Sequence, residues 1–505
     1  TEGLCRYLND DFDSPSCVIG YDSRINSERF AKEAACVLAA GGVKVWLFAE
    51  LIPTPIVAYA VRELKCSSGI IITASHNPSK YNGYKCYDER GYQMTDDAAG
   101  KTLAYINKTD MFGDFGKIDF DTAVEKGLVE YVSADVIDKY FGLVKTRLVD
   151  TEVSAKAGLS VIYTPLNGTG NKPVRRILDM IGIKDVTVVE SQELPDGNFP
   201  TCPFPNPEIR DAFNEALKTA ENKKADLLLA TDPDCDRVGI AVLDNGEYKL
   251  LTGNDVGCIL IDYILSRKKA AGTLVEKPVV IKSIVTSDMA AQIAESYGAE
   301  VVNVLTGFKY IGEYITQLEE KGEVDRFEIG FEESYGYLTG AHTRDKDAVN
   351  ASMMICEAAS YYKLQGKTLI DALDELHSRF GYWKNSLFNF FFEGADGMAK
   401  MAAIMDSLRK AYPRSLGGEK AVGADDYKKS VSVDFATGGE SVLTLPKSNV
   451  IALRFENGDK VVVRPAGTEP KIKVYTMVRG KDEKEASAKT SAYEKELLSL
   501  VGIGE

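Results

Sequence analysis

Long apolar runs, paired cysteines and an excess of positive charge are all missing from this chain of 505 residues. No apolar stretch approaches the about 20 residues that span a bilayer as a helix. No Cys-x-x-Cys pair marks a zinc site, and the nine cysteines, an odd number without paired spacing, read as the reduced thiols of a cytoplasmic protein rather than a disulfide framework. Lysine and arginine number 60 against 75 acidic residues, a net charge of −15. Nucleic acid and anionic membrane both require basic surface, so neither is an expected partner. An anionic small molecule would need a locally basic pocket inside an acidic protein. Low-complexity segments are absent, and no internal repeat is visible.

What is present is the composition of a large globular protein. Apolar residues make up 45%, and a length of about 150 residues per domain predicts three to four domains. Apolar, β-branched runs (43–48, 159–163, 186–189, 227–230, 279–284, 301–305) alternate with helical patterns (27–40, 172–180, 288–297) through the first two thirds. That alternation predicts βαβ units with mixed or parallel sheets covered on both faces. The last third changes to closely spaced strands (431–435, 450–456, 460–464, 472–478) and a helical tail from Asp482. Boundaries are expected near residues 155, 268 and 388. The chain opens on Thr1 without a methionine, and Thr1-Glu2-Gly3-Leu4-Cys5-Arg6-Tyr7-Leu8 reads like the middle of a helix. The N-terminus is therefore expected to be missing, and the lack of a signal peptide says little about location.

Four loops carry chemistry. Thr73-Ala74-Ser75-His76-Asn77-Pro78 follows the strand-like run Gly69-Ile70-Ile71-Ile72, at the carboxyl end where open α/β sheets bind ligands. A serine there is a poor nucleophile unless something activates it, and Ser-His-Asn-Pro is also good turn chemistry. Asp232-Pro233-Asp234-Cys235-Asp236-Arg237 follows the run Leu227-Leu228-Leu229-Ala230. Three carboxylates so close repel one another unless a cation compensates them, and hard oxygen donors without His or Cys suit Mg²⁺; a solvated acidic turn is the other reading. Gly330-Phe331-Glu332-Glu333-Ser334-Tyr335-Gly336 offers a carboxylate and a hydroxyl, and Arg464-Pro465-Ala466-Gly467-Thr468-Glu469-Pro470-Lys471 offers a guanidinium, a glycine turn, a hydroxyl and an ammonium, the donors an unreacting phosphate needs. Pro165-Leu166-Asn167-Gly168-Thr169-Gly170-Asn171-Lys172 lacks the Gly-x-x-x-x-Gly-Lys-Ser/Thr spacing and reads as structural, with Pro173 in the first helical turn after an Asn cap. Arg344-Asp345-Lys346-Asp347 reads in isolation as a surface charge cluster, and His342 and His377 as packing or surface residues.

In this order and spacing the four loops resemble the α-D-phosphohexomutase superfamily, and within it the bacterial phosphoglucomutase type, over nearly the whole chain. The resemblance implies three α/β/α mixed-sheet domains (1–155, 156–268, 269–388) and a smaller C-terminal α+β domain (389–505) around a central cleft. It implies a phosphoserine at Ser75 accompanied by His76, with Lys85 as general acid/base, an assignment that expects cationic neighbours to lower the lysine pKa. Asp232, Asp234 and Asp236 become Mg²⁺ ligands, with Ser75 or its phosphate as the remaining one, and Arg237 a fork for phosphoserine oxygens. Cys235, between two ligands, reads as a space constraint. Thr306, Gly307, Glu332 and Ser334 become sugar-reading residues, Glu333 is expected to matter little, and Lys346 is a candidate active-site cation. Arg464, Ala466, Gly467, Thr468 and Lys471 become the phosphate-binding loop, with Ala466 replacing the usual serine at the loss of one donor. The implied activity is interconversion of α-D-glucose 1-phosphate and glucose 6-phosphate through glucose 1,6-bisphosphate, acting as activator and intermediate, in a monomer or dimer. Phosphomannomutase or phosphopentomutase specificity, or an impaired sugar-phosphate-binding fragment, are the alternatives. The family has a first strand and a Gly-x-Arg-Gly-like turn whose arginine contacts the phosphoserine region. Neither occurs before Gly20-Tyr21-Asp22-Ser23-Arg24, and Arg24 is not expected to substitute. The first sheet is therefore expected to lack a strand, leaving an edge prone to aggregation, and a version extended at its N-terminus to be more soluble and more active.

Overall fold

Buried β-branched strands joined by amphipathic helices build the first two thirds of the molecule. A computed structural model describes residues 1–110, 112–113, 116–392, 394, 396–466 and 469–500. It divides into two compact units, one of residues 1–282, 294–302 and 307–372, the other of residues 283–293, 303–306 and 373–505. No helix among the described residues is long and apolar enough to cross a membrane, and all nine cysteines are free.

The first sheet contains β1 (Ser16–Tyr21), β2 (Lys44–Leu47), β3 (Ser68–Ile72), β4 (Tyr84–Asp88) and β5 (Val129–Tyr131) in the order β4-β3-β1-β2-β5. β1 runs parallel to β2 and β3, and β4 is antiparallel to β3. All five residues of β3 are buried, and each isoleucine in such a strand contributes about 1.5–3 kcal/mol of burial energy. This anchors the loop that follows. The second sheet holds β6 (Ser160–Thr164), β7 (Asp185–Val188), β8 (Leu227–Thr231), β9 (Val238–Asp244) and β10 (Glu247–Leu251), ordered β10-β9-β8-β6-β7. The third holds β11 (Val279–Ser283), β12 (Glu300–Val304), β13 (Phe327–Glu332) and β14 (Gly336–Leu338), ordered β12-β11-β13-β14.

These three sheets repeat one topology. In each, the first strand is flanked by the second and third, and a hairpin returns antiparallel from the third: β3 to β4, β8 to β9 and β13 to β14. No repeat is visible in the sequence because topology needs only patterning and turn positions, not matching side chains. The three hairpin turns carry Ser75, the aspartate loop and the Glu332–Ser334 segment. Each turn also holds one non-glycine residue in the left-handed region: Ser75 (φ 52°), Cys235 (φ 54°) and Tyr335 (φ 65°). Such conformations cost energy and persist where surrounding contacts over-determine them.

In the second unit, β15 (Tyr382–Phe391), β16 (Ser415–Leu416), β17 (Glu419–Asp426), β18 (Val431–Asp434), β19 (Glu440–Val442), β20 (Ile451–Phe455), β21 (Lys460–Pro465) and β22 (Lys471–Gly480) form an antiparallel sheet ordered β15-β22-β21-β20-β17-β18-β19, with β16 paired to β17. Helices Gly397–Lys410 and Glu483–Leu500 complete this α+β fold, whose core includes Phe390, Met405, Leu453, Val474 and Tyr493. The expected boundaries all fall inside elements. Residue 155 lies in helix Val153–Ala157 and 268 in helix Gly253–Ala271. Residue 388 lies in β15, all ten residues of which pair with β22.

Candidate active site

The site is assembled from hairpin turns of the first unit. Between β3 and β4, Thr73 accepts the Ser75 amide on its hydroxyl at 2.8 Å, and the Thr73 amide closes on Gly83 O at 3.1 Å. Ser75 Oγ donates to Asp232 Oδ2 at 2.9 Å and lies 3.0 Å from His76 Nδ1. Burial, reinforced by the Arg237 charge, pushes the His76 pKa down to about 3, so its imidazole is neutral. Phe204 packs edge-on against that ring.

The aspartate turn is almost wholly buried, Asp232 and Asp234 at 0% exposure and Asp236 at 1%. One oxygen from each lies within 4.8 Å of the others. Asp232 Oδ1 accepts the amides of Asp236 (3.1 Å) and Arg237 (3.0 Å). Asp234 Oδ2 accepts Thr54 Oγ1 at 3.0 Å and Lys85 Nζ at 2.7 Å. Asp236 Oδ2 takes Lys85 at 3.2 Å and Lys346 at 3.1 Å. Asp234 Oδ1 and Asp236 Oδ1 are buried without any hydrogen bond. Two orphaned carboxylate oxygens beside a third carboxylate fit a hard divalent cation, because burying such atoms uncompensated is costly. Burial and the neighbouring Asp234 and Asp236 hold Asp232 well above the usual carboxylate range. Burial pushes Asp236 the same way, but Lys346, Lys85 and Arg237 outweigh it and keep this carboxylate below its ordinary pKa.

The loop 165–172 supports this turn. Thr169 N–H donates to Pro233 O at 2.8 Å. A Cβ on Gly170 would overlap the Tyr163 hydroxyl and lie 2.6 Å from Thr231 Oγ1 and 3.0 Å from Cys235 Sγ. Gly170, not an asparagine, therefore precedes the helix Asn171–Met180, since no larger residue fits behind the aspartates. Gly170→Ala is expected to break the 2.8 Å Tyr163–Thr231 hydrogen bond and cost about 1–3 kcal/mol. A lowered urea midpoint measures it, and an unchanged midpoint would show that the pocket can yield.

Several expectations need correction. Carboxylates dominate around Lys85, although Lys346 shares Asp236 Oδ2 with it. Burial disfavours the Lys85 charge, yet Asp234, Asp236 and Asp345 prevail, and its pKa is raised. The cluster 344–347 is interior, with Arg344 and Asp347 at 0% exposure, because each member has a partner. Arg344 pairs with Glu319 at 2.8 Å, Asp345 accepts Tyr87 Oη at 2.7 Å, and Lys346 bridges Asp345 and Asp236. His342 is also partnered: Nε2 lies 2.8 Å from Asp347 Oδ2, which Tyr140 Oη also contacts at 2.8 Å. Arg24, not expected to substitute for the family's arginine near the phosphoserine, nevertheless donates to Ser75 O and Asn77 O at 2.5 Å, Pro78 O at 3.0 Å and Tyr81 O at 2.9 Å.

Arg237 is salt-bridged to Glu208, and its buried Nε has no hydrogen-bond partner. Glu332, at the end of β13, accepts the Gly307 amide at 2.8 Å. Burial raises its pKa against the opposing charge of Lys346. Gly307 has φ 123°, which only glycine adopts readily. Ser334 and Glu333 are half-buried in the turn, and the Thr306 hydroxyl is buried without a partner. A Cβ on Gly336 would overlap the Lys346 stem, so that glycine makes room for the cation. In the second unit, the β21–β22 turn keeps Arg464 and Ala466 half-exposed. Ala466 N–H donates to Lys471 O at 2.7 Å, and Lys471 Nζ pairs with Glu469 at 2.6 Å. Gly467 and Thr468 lie outside the described residues. Sequence reasoning missed Thr54 and Glu208, and gave no role to Arg24 or Asp345, although both stood in segments already noticed.

Family models match three segments: "Phosphoglucomutase/phosphomannomutase, alpha/beta/alpha domain I" over residues 1–112, domain II over 138–246 and domain III over 252–380. A curated phosphoglucomutase of Staphylococcus haemolyticus is 36% identical over 477 residues, covering 94% of this chain and 84% of that protein. One of Staphylococcus aureus is 37% identical over 481 residues with the same coverage. The fold is similar to the solved structure of the Paramecium phosphoprotein parafusin, a phosphoglucomutase, with a TM-score of 0.71 at 18% identity over 99% of this chain and 91% of that one. With the aspartate-and-serine geometry above, these likenesses establish that the chain belongs to the α-D-phosphohexomutase superfamily, phosphoglucomutase type.

Proposed function

We propose that this chain interconverts α-D-glucose 1-phosphate and glucose 6-phosphate through a phosphoserine at Ser75. The observation that carries this reading is the Ser75 hydroxyl hydrogen-bonded into a buried three-aspartate turn that keeps two orphaned carboxylate oxygens. A bound Mg²⁺, held by Asp232, Asp234, Asp236 and Ser75 or its phosphate, would neutralise charge on the transferring phosphoryl group.

In the first half-reaction the Ser75 Oγ–phosphorus bond breaks and a bond forms from phosphorus to the sugar 6-oxygen, giving glucose 1,6-bisphosphate. Lys85 donates a proton to the departing Oγ and takes the one released by the attacking hydroxyl, ending as the ammonium it began as. Its pairing with Asp234 and Asp236 supports that starting state. The second half-reaction returns the 1-phosphoryl to Ser75 by the same groups. Neutral His76 accepts from or donates to Oγ without adding charge. The Nε of Arg237, 3.8 Å from Asp236 Oδ1 and without a hydrogen bond, suits a phosphoryl oxygen, and Lys346 adds a cation beside Asp236. Glu332, Ser334, Thr306 and Gly307 read sugar hydroxyls, and Arg464, Ala466, Gly467, Thr468 and Lys471 hold the phosphate that does not react. We place the domain boundaries of this enzyme outside the elements they were expected to cut, the last before Tyr382. Small sugar phosphates are its partners, and the free thiols support a cytoplasmic setting.

A coupled assay across hexose and pentose 1-phosphates tests the reading. Glucose 1-phosphate is expected to be the best substrate, and a mannose or pentose preference would replace the specificity while leaving the chemistry. Within that assay, Glu332→Gln should lower kcat/KM for glucose 1-phosphate by about 10²-fold or more, since an unpaired buried group discriminates strongly. Glu333→Gln should change it little. The reverse order would mean that the turn presents its other carboxylate to the sugar.

A further inference from the structure

Arg24 is spent on main chain rather than on phosphate. It follows β1 in a tight turn in which Asp22 Oδ1 accepts the Arg24 amide at 2.9 Å and Ser27 Oγ at 2.7 Å. The Arg24 and Asp22 side chains are both fully buried, with Nε 3.3 Å from Asp22 Oδ2. The guanidinium lies 5.1 Å from the centroid of the Phe199 ring. Its two terminal nitrogens make four hydrogen bonds to the carbonyls of Ser75, Asn77, Pro78 and Tyr81. A guanidinium has five N–H groups. Four, on the terminal nitrogens, are engaged by carbonyls; the fifth, on the fully buried Nε, lies 3.3 Å from Asp22 Oδ2 without a hydrogen bond, so no terminal N–H is left for a phosphoryl oxygen. The far end of the loop is tied to the same turn by Asn82 Nδ2, which donates to Ser27 Oγ at 3.0 Å.

We propose that Arg24 is a positioning residue for phosphoryl transfer, holding the Ser75 loop so that Oγ meets the aspartate turn, an inference that rests on the phosphoserine reading above. Ser75 has φ 52°, a conformation an L-residue keeps only when its surroundings over-determine it. The fan of carbonyls on one planar cation supplies that constraint, and one of the four is the Ser75 carbonyl itself. Lysine, with three donors on a flexible stem, cannot span four carbonyls.

The test uses the full chain and its Arg24→Lys variant, with glucose 1,6-bisphosphate as phosphoryl donor and glucose 1-phosphate as substrate. Arg24→Lys should lower both the single-turnover phosphorylation of Ser75 and kcat by about 10²-fold, with KM changed less than about threefold, because misplacement costs rate rather than binding. Amides of residues 73–83 should exchange hydrogen about tenfold faster, while those of the aspartate turn stay protected. Turnover and exchange like wild type would overturn the proposal, as would a raised KM at unchanged kcat, which would make Arg24 a substrate binder. If Arg24→Lys does not fold, Asp22→Asn decides: it keeps the Ser27 contact but weakens the hold on the guanidinium, and normal turnover there would refute the positioning role. Wild type that takes no phosphate at all would instead sink the phosphoserine reading.

Discussion

Ser75→Ala is expected to fold like wild type, to incorporate no phosphate from glucose 1,6-bisphosphate, and to lose activity by about 10⁴-fold or more, as removal of a nucleophile does when its partners remain. The fold should survive because Ser75 is only partly buried and, among the described residues, its side chain hydrogen-bonds Asp232 and His76. Alanine also keeps the amide that donates to Thr73. Intact mass before and after incubation with the bisphosphate gives the answer directly. Equal phosphate incorporation in both proteins would move the covalent chemistry elsewhere and leave Ser75 as a turn former.

Removal of the divalent cation is expected to have the second largest effect. Excess chelator should abolish turnover, and Mg²⁺ should restore it. Asp234→Asn should reduce turnover by about 10²–10³-fold, the loss that follows when one preorganised electrostatic group is removed. A direct binding signal accompanies this. Mg²⁺ at a hundredfold excess over Kd should stabilise the wild type by about 2.7 kcal/mol, and Asp234→Asn should lose most of that gain, because the variant replaces an oxygen otherwise left without a partner. Undiminished activity in chelator would refute the cation assignment. A wild-type melting temperature insensitive to Mg²⁺ would do the same.

How much of this was legible from the residues differs from loop to loop. The aspartate turn was legible because three acidic residues in alternate positions after an apolar strand carry their own electrostatic argument. Burial confirmed that the carboxylates cannot be a solvated turn. The segment 344–347 was misread for the opposite reason. Its four charges have partners at residues 319, 87, 236 and 140, too far away in the chain for any local pattern to mark them. The role of Arg24 was hidden for a deeper reason. This arginine recognises backbone carbonyls, which every residue has, so no side-chain type at the receiving end gives it away. Lys85 was found but misjudged, because the sign of a pKa shift follows from which charges surround the group in space.

The chain's own residues determined the elements, since β-branched runs bounded by turn residues can bury themselves in few other ways. They determined which side chains could do chemistry, since oxygen donors, a hydroxyl and basic groups are properties of residue types. The tertiary structure alone decided that three sheets share one topology, each aiming a hairpin turn with one left-handed residue. It alone decided that Ser75 meets an aspartate 157 positions away, and that two carboxylate oxygens remain for a cation once serine, lysine, threonine and backbone donors have taken the others. Those outcomes depend on distances between segments remote in sequence, and such distances are set by packing of the whole core rather than by any local preference.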